Sequence, residues 1–370
     1  MKRFSILCCL ALILFFADAQ SLEMVDKNAS EKTKALFRNL RDIQKEGKVL
    51  FGHQDATVYG RSWYGDKNRS DVRDIAGSHP AIVGLDFADV TVANTTEFLK
   101  EKERLVQLVV DTYNRGGIST FAWHQKNPAN GGSFYWEQNP IQVVADILPG
   151  RKLHDTYKFY LNTVADVANA FRNEAGELIP VIFRPYHEYD GEWFWWGKGH
   201  CSKEEFIRLW RFTVDYLKDD KGVHNFIYAL SPDCRFDTEE EFLDYYPGDD
   251  YVDMLGMDNY WDFRPDGNNS PSLAEKKLRI VADVAERKNK LAAFTETGLE
   301  GITQPDWFCS TLLPILRKAK ICYVLVWRNA HRSPTHYYVP DKGHPAEQDF
   351  KRFTESENIL LENDLPKMYK

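Results

Sequence analysis

The chain has 370 residues, 43% hydrophobic and 28% charged, a length and balance that fit one large core of α/β-barrel size or two small domains. Its net charge is −8 and it has no lysine- or arginine-rich block, which argues against a nucleic-acid partner. Aromatic residues make up 14% of the chain and crowd the loops as well as the apolar segments, a bias that favours a flat, uncharged ligand such as a carbohydrate.

Residues 1–20 read as a secretory signal peptide. Lys2 and Arg3 form a positive start, Ile6 to Phe16 is an apolar stretch too short to span a bilayer, and Ala17-Asp18-Ala19 sets a cleavage site near Ala19/Gln20. Too little apolar sequence precedes Cys8 and Cys9 for a lipoprotein anchor. The expectation is a soluble, secreted or periplasmic protein, with residues 21–370 as a single catalytic domain. No later run has the length and apolarity of a membrane span. Cys201, Cys234, Cys309 and Cys322 remain in the mature chain; four cysteines allow three pairings, and sequence does not choose among them.

Residues 33–46 carry Leu36, Leu40 and Ile43 at helical spacing. A short apolar run ending in polar groups follows, Val49-Leu50-Phe51-Gly52-His53-Gln54-Asp55, and the pattern then recurs. The later cases are Ala81 to Asp86, Ile118 to His124, Val181 to Glu188, Phe226 to Asp233, Val252 to Tyr260, Leu291 to Glu296 and Ile321 to Asn329. Amphipathic helical patterns lie between them, most clearly Glu101 to Tyr113, Thr156 to Phe171, Glu204 to Leu217 and Ala274 to Lys288. Eight continuously apolar runs alternating with helices predict an α/β fold, a (β/α)8 TIM barrel in one domain. A doubly wound open sheet is the rival, but Gly52-His53-Gln54 is not the glycine-rich phosphate loop such a sheet usually carries after its first strand.

A barrel places its site at the C-terminal strand ends. Here those ends read His53/Asp55, Asp86, His124, His187/Glu188, Asp233, Asp258/Tyr260, Glu296 and Trp327/Arg328. The fourth run opens into the densest cluster of the chain, with Arg184, His187, Glu188, Asp190, Glu192, Trp193, Trp195 and Trp196 within thirteen positions. Indole faces beside carboxylates suit a pyranose: the flat sugar face stacks on the ring and the carboxylates work on the acetal. Glu188 and Glu296 end the fourth and seventh strands, which face each other across a barrel mouth, and retaining glycosidases use two carboxyl groups so placed. Glu296, deep at a strand end, suits the nucleophile; Glu188, opening an aromatic loop, suits the acid/base, its proton held more tightly by the negative charge of Glu296. Arg184 is expected to orient one of the two through charge-assisted hydrogen bonds. Trp123 reads as core. Trp63, Tyr64, Trp261 and Phe263 could line distal sugar sites or simply pack. The loops 125–152 and 330–347 are long enough to shape access to the mouth.

These residues resemble glycoside hydrolase family 26, the β-mannanases. The likeness rests on Arg184-Pro185-Tyr186-His187-Glu188 with Trp193 five residues past the glutamate. It extends to Phe51-Gly52-His53-Gln54, Trp123-His124, Met257-Asp258-Asn259-Tyr260, Thr295-Glu296 and Trp327-Arg328. The resemblance implies a retaining hydrolase of β-1,4-mannosidic bonds in mannan, galactomannan or glucomannan. It implies Glu188 as acid/base and Glu296 as nucleophile, with Tyr260 hydrogen-bonding Glu296. His187 would touch the sugar beside the scissile bond, Trp193 and Trp327 would wall the −1 subsite, and His124, Asp258 and Arg328 would bind substrate there or at −2. The expected partners are β-mannan polysaccharide or manno-oligosaccharides, with no cofactor, no metal and a monomeric state. A basic, aromatic 330–347 loop would narrow the glycone end and favour short products such as mannobiose.

Three other readings compete. A metal-dependent barrel hydrolase could use His53, Asp55, His124, His187 and Glu188, but no His-x-His or His-Glu-x-x-His spacing is present. A glycan-binding protein on the same barrel would not need both glutamates. Hydrolysis of β-1,3-xylan or mixed-linkage β-glucan keeps the mechanism and changes only the substrate.

Overall fold

The computed structural model describes residues 24–91 and 94–370, so the signal-peptide reading of residues 1–20 lies outside the described residues. Eight parallel strands are β1 (Val49–Gln54), β2 (Ile82–Asp86), β3 (Ile118–Ala122), β4 (Val181–Arg184), β5 (Phe226–Leu230), β6 (Met254–Asn259), β7 (Leu291–Thr297) and β8 (Tyr323–Val326). Each pairs with its neighbours in sequence order, and β1 closes on β8 through the register Leu50↔Tyr323 to His53↔Val326. The result is the (β/α)8 barrel expected from the eight apolar runs. The strands end a few residues before the predicted runs do at β3, β4, β5 and β8. There the polar residues leave the sheet as they reach the mouth.

Alternation along the strands separates two cores. Leu50, Ile82, Ile118, Ile182, Ile227, Met254, Leu291 and Tyr323 form one cluster with Leu36, Phe37, Leu40 and Ile43 of α1 (Glu31–Lys45). The first helix thus joins the residues that fill the barrel. The alternate set, including Phe51, Val83, Phe121, Phe183, Phe226, Phe294 and Val324, packs outward against the surrounding helices. Those helices include α2 (Asp71–Ala76), α3 (Thr95–Arg115), α4 (His154–Ala168), α5 (Lys203–Asp215), α6 (Pro271–Arg287) and α7 (Glu347–Thr354). α3 begins six residues before the predicted Glu101, because its first turns are largely exposed and carry no apolar stripe. What starts it is Asn94, whose side chain accepts from the backbone N–H of Thr96 and Glu97. α5 starts on a capping box between Ser202 and Glu205.

One irregularity positions the site. β7 carries an extra residue relative to both neighbours: Met257 pairs with Phe294 but Asp258 with Glu296, and Val324 pairs with Phe294 but Val326 with Thr297. The bulged residue is Thr295. Its hydroxyl donates to the Asp258 carboxylate at 2.7 Å, and its Oγ1 lies 2.8 Å from the Met257 carbonyl. The space for it comes from Gly256, where a Cβ would lie 2.5 Å from Thr295 Cγ2. Bulges of this kind re-aim side chains beside active sites, and here Glu296 follows directly.

Candidate active site

At the mouth of the barrel Glu188, Asp258 and Glu296 bring carboxylate oxygens within 4.8 Å of one another. Such a triad could attract a cation, but a buried guanidinium already serves it. Arg184, from the end of β4, donates to Asp258 Oδ2 at 2.6 Å and also to Glu296 Oε1. A third bond runs from Arg184 to Ser231 Oγ at 2.9 Å. Burial opposes the charge on Arg184, yet Asp258 and Glu296 together raise its pKa and hold it protonated. Glu296 receives a second bond, from the Tyr260 hydroxyl at 3.0 Å to Oε2. Two donors converge on Glu296, the arrangement that suits an anion.

Glu188 sits in a different environment. It is half-buried, and among the described residues its one side-chain donor is the Trp193 indole N–H, 2.6 Å from Oε2. Burial and the charges of Asp258, Glu296 and Asp233 push its pKa well above the ordinary glutamate value, while the Trp193 bond works the other way. The backbone here is unusual: Tyr186 and Glu188 have φ of 51° and 54°, in the left-handed region that side chains rarely adopt. Three contacts hold it. The Glu188 N–H donates to the Ser231 carbonyl at 2.8 Å, the Trp196 indole to the His187 carbonyl at 2.9 Å, and the Tyr186 hydroxyl pairs with Thr213 at 2.6 Å. Two carboxyl groups this close, one held by cationic and hydroxyl donors and one favoured in its protonated form, match the paired carboxyl groups of a glycosidase.

A model of one family, described as glycosyl hydrolase family 26, matches residues 25–329. The chain belongs to glycosyl hydrolase family 26. Among curated relatives, a mannan endo-1,4-β-mannosidase from Bifidobacterium adolescentis is 33% identical over 93% of this chain and 36% of its own length. One from Caldalkalibacillus mannanilyticus, named mannan endo-1,4-β-mannosidase A and B, is 27% identical over 86% of this chain and 62% of its own. The chain therefore spans from about a third to under two thirds of these two relatives. A solved family 26 β-mannanase from Bacteroides ovatus matches at 40% identity and a TM-score of 0.87, covering 92% of this chain and 98% of that one.

The other residues expected at the site in this family 26 chain have the following surroundings. His124 donates from Nδ1 to Asp86 Oδ2 at 2.5 Å, and its Nε2 lies 3.2 Å from His187 Nε2. His187 is buried against His124, Phe194 and Trp196, and burial lowers its pKa well below the usual imidazole value. Trp327 lies beside His124, with ring centroids 6.1 Å apart. Arg328 donates to the Tyr59 hydroxyl at 3.1 Å. Of the residues that the resemblance gives to substrate, Asp258 sits deepest: it is fully buried, with one oxygen on Arg184 and the other on Thr295. Trp123 is core, as read from sequence. Trp63 is buried too, its indole donating to Asp71 at 2.7 Å, whereas its neighbour Tyr64 is 64% exposed. All four cysteines among the described residues are free thiols.

Two walls flank the mouth. On one side Tyr59, Tyr64 and His331 form an aromatic cluster, with Tyr59 and Tyr64 parallel at 6.3 Å and His331 within 5.1 Å of both. On the other, a cavity of about 820 Å³ opens from Glu188, Trp193 and Tyr260 outward to Asp233, Arg235 and Trp261. Sequence reasoning named Tyr64 and Trp261 but left open whether they meet a ligand or pack, and it did not single out Tyr59 or Arg235, because aromatic content does not separate a ligand platform from ordinary packing.

Proposed function

We propose that this chain is a retaining endo-β-1,4-mannanase acting on mannan, galactomannan or glucomannan by double displacement. The observation that carries the reading is the Glu188–Glu296 pair, close together and held in opposite environments. Inverting enzymes keep their carboxyl groups roughly 6.5–9.5 Å apart to admit a water between them; an approach within 4.8 Å favours direct attack by one group. Glu296, steadied by Arg184 and Tyr260, attacks the anomeric carbon and forms a glycosyl ester. Glu188, carrying a proton, gives it to the departing glycosidic oxygen. In the second half Glu188 takes a proton from the water that attacks the ester, and Glu296 leaves as carboxylate. Tyr260 holds Glu296 for attack. Trp193 and Trp327 wall the −1 sugar, with His187, His124 and Arg328 supplying polar contacts, while Asp258 acts through Arg184. No metal or cofactor has a step in this scheme. The mannan specificity is supported by the named activity of the relatives.

Two finer points belong to the same reading. The Tyr59–Tyr64–His331 cluster closes the glycone end near Arg328, so short products such as mannobiose leave early. Residues 1–20 direct export, placing the enzyme in the periplasm or outside the cell as a monomer; among the described residues no helix is long and apolar enough to cross a membrane.

The test is activity of the wild type, Glu188→Ala and Glu296→Ala on mannan, β-1,3-xylan and mixed-linkage β-glucan, with early products resolved by chain length. Both variants are expected to lose mannan hydrolysis by at least about a thousandfold, as covalent and acid–base groups demand. Full activity in either removes that glutamate from its role. Wild-type activity on xylan or glucan alone overturns the substrate and keeps the mechanism. A broad ladder of oligosaccharides at early times overturns the short-product mode.

A further inference from the structure

β8 and β1 stand across the barrel from β4, the strand that leads to Glu188. Behind the loops that follow β8 and β1 lies Asp71, the first residue of α2, a carboxylate only 3% exposed. Its Oδ1 accepts from the Trp63 indole N–H at 2.7 Å. Its Oδ2 accepts from the Arg61 backbone N–H at 3.1 Å and from Asn329 Nδ2 at 2.7 Å. The first two donors belong to a short hairpin in which Tyr59–Gly60 pairs with Trp63–Tyr64. Gly60 lets the carboxylate in: a Cβ there would collide with both of its oxygens and with the Trp63 ring nitrogen. The third donor, Asn329, is fully buried just past β8 and grips the segment beyond. Its Oδ1 accepts from the N–H of Tyr338 at 2.8 Å and of Val339 at 3.0 Å, and its Nδ2 also donates to the Val339 carbonyl at 2.8 Å.

The hairpin carries Tyr59 and Tyr64, and the segment after β8 carries Arg328 and His331. One carboxylate therefore fastens both halves of the aromatic wall, although Asp71 and Asn329 are 258 residues apart in the chain. We infer that Asp71 is a positioning residue that sets product length: through Trp63, Arg61 and Asn329 it fixes where the glycone end of the cleft stops. This rests on the reading of the Tyr59–Tyr64–His331 wall as that closed end. A carboxylate suits the task because it only accepts, and its two oxygens serve three N–H donors at once. An amide of the same shape turns one oxygen into a donor. Its NH₂ would then face the Trp63 indole N–H or the pair from Arg61 and Asn329, and a buried donor left without an acceptor is costly. The two halves also meet where Arg61 lies 3.7 Å from the Tyr337 ring centroid and 3.4 Å from Asp341, and where Arg328 donates to Tyr59. The Arg61–Asp341 pair is partly exposed, and such ion pairs hold geometry weakly. The buried tie at Asp71 carries the register.

The experiment compares the whole wild-type enzyme with Asp71→Asn, Trp63→Phe and the double variant. Mannohexaose is cleaved in water labelled with heavy oxygen, and mass spectrometry reads which bond breaks, because the label enters the new reducing end of the glycone piece. The wild type is expected to release mainly a labelled mannobiose. In Asp71→Asn the ratio of longer labelled products to labelled mannobiose rises about threefold to tenfold, the size of one buried hydrogen bond. Trp63→Phe removes one donor and shifts the ratio the same way by less. Joining the two moves the ratio back toward wild type, because the new NH₂ then faces a phenyl ring instead of an N–H. On a nitrophenyl β-mannobioside the change in Asp71→Asn falls on KM rather than kcat. A wild type that releases mannobiose while Asp71→Asn keeps its cleavage pattern overturns the inference and leaves the closed-end reading standing. Should Asp71→Asn fail to fold, an unshifted pattern in Trp63→Phe overturns it equally. A fall in kcat on both substrates with no change in the bond cleaved makes Asp71 a folding residue alone and also overturns it. A wild type that cuts the hexaose without preference overturns the closed-end reading and this inference with it.

Discussion

Arg184 fixes the charges at the mouth. It is buried with Asp258 and Glu296, and among the described residues neither carboxylate has another cation in contact. Removing one partner of such a group leaves uncompensated charge in a medium that solvates it poorly. Arg184→Met should therefore cost about 3–5 kcal/mol of unfolding free energy, read from urea denaturation, besides lowering activity; a variant as stable as the wild type would refute that view of the network. Lysine in its place cannot reach both carboxylates with a planar fork. Glu188 gives a second residue-level test. Its pKa is raised in the fold, so between the ordinary glutamate value and that raised value the native state holds a proton that the unfolded chain has lost. Stability then falls as pH rises through this window. Glutamine has no proton to lose. The melting temperature of Glu188→Gln relative to wild type should climb with pH above the ordinary glutamate range and converge below it. A difference that stays flat with pH would show that Glu188 titrates normally.

The strands and their ends were the most legible elements. Eight apolar runs, each ending in groups that can do chemistry, predicted the barrel and placed Glu188, Glu296, His124 and Tyr260 at one mouth, because a parallel sheet covered on both sides imprints a continuous apolar signal. What joins distant loops left no such imprint. Tyr59 meets Arg328 across most of the chain's length, Asp190 ties down Asp233 and Arg235, and Trp261 looks in sequence like any aromatic in a turn. Free thiols were equally invisible, since pairing is a matter of distance. The β7 bulge is another feature of this kind, and it yields a prediction. Gly256→Ala would push its new Cβ into Thr295, the residue that holds Asp258 in line. Overpacking of this sort typically costs about 1–3 kcal/mol. A shift of Glu296, which follows Thr295, should lower kcat more than it changes KM. Unaltered kcat would mean that the strand absorbs the methyl elsewhere.

At the scale of the whole molecule the chain carries net charge −8, and at the mouth part of the buried negative charge is offset by pairing. Arg184 lies between Asp258 and Glu296 and offsets one of their two charges, and His124 hydrogen-bonds Asp86. A mannan chain, the substrate proposed for this enzyme, bears no charge, so no long-range field would steer it to the site, and the contacts that would hold it are stacking and hydrogen bonding at short range. Salt shortens the reach of surface charge from about 30 Å at 0.01 M to under about 10 Å above 0.1 M. If the substrate is neutral, kcat/KM on mannan should change by less than about twofold over that range, because nothing long-ranged is there to screen. An acidic polysaccharide would behave otherwise: the negative protein would repel it at low salt, and its turnover would climb as salt is added. A steep rise of kcat/KM with salt on the enzyme's best substrate would therefore point away from mannan and toward a charged glycan, even if Glu188 and Glu296 proved to be the catalytic pair.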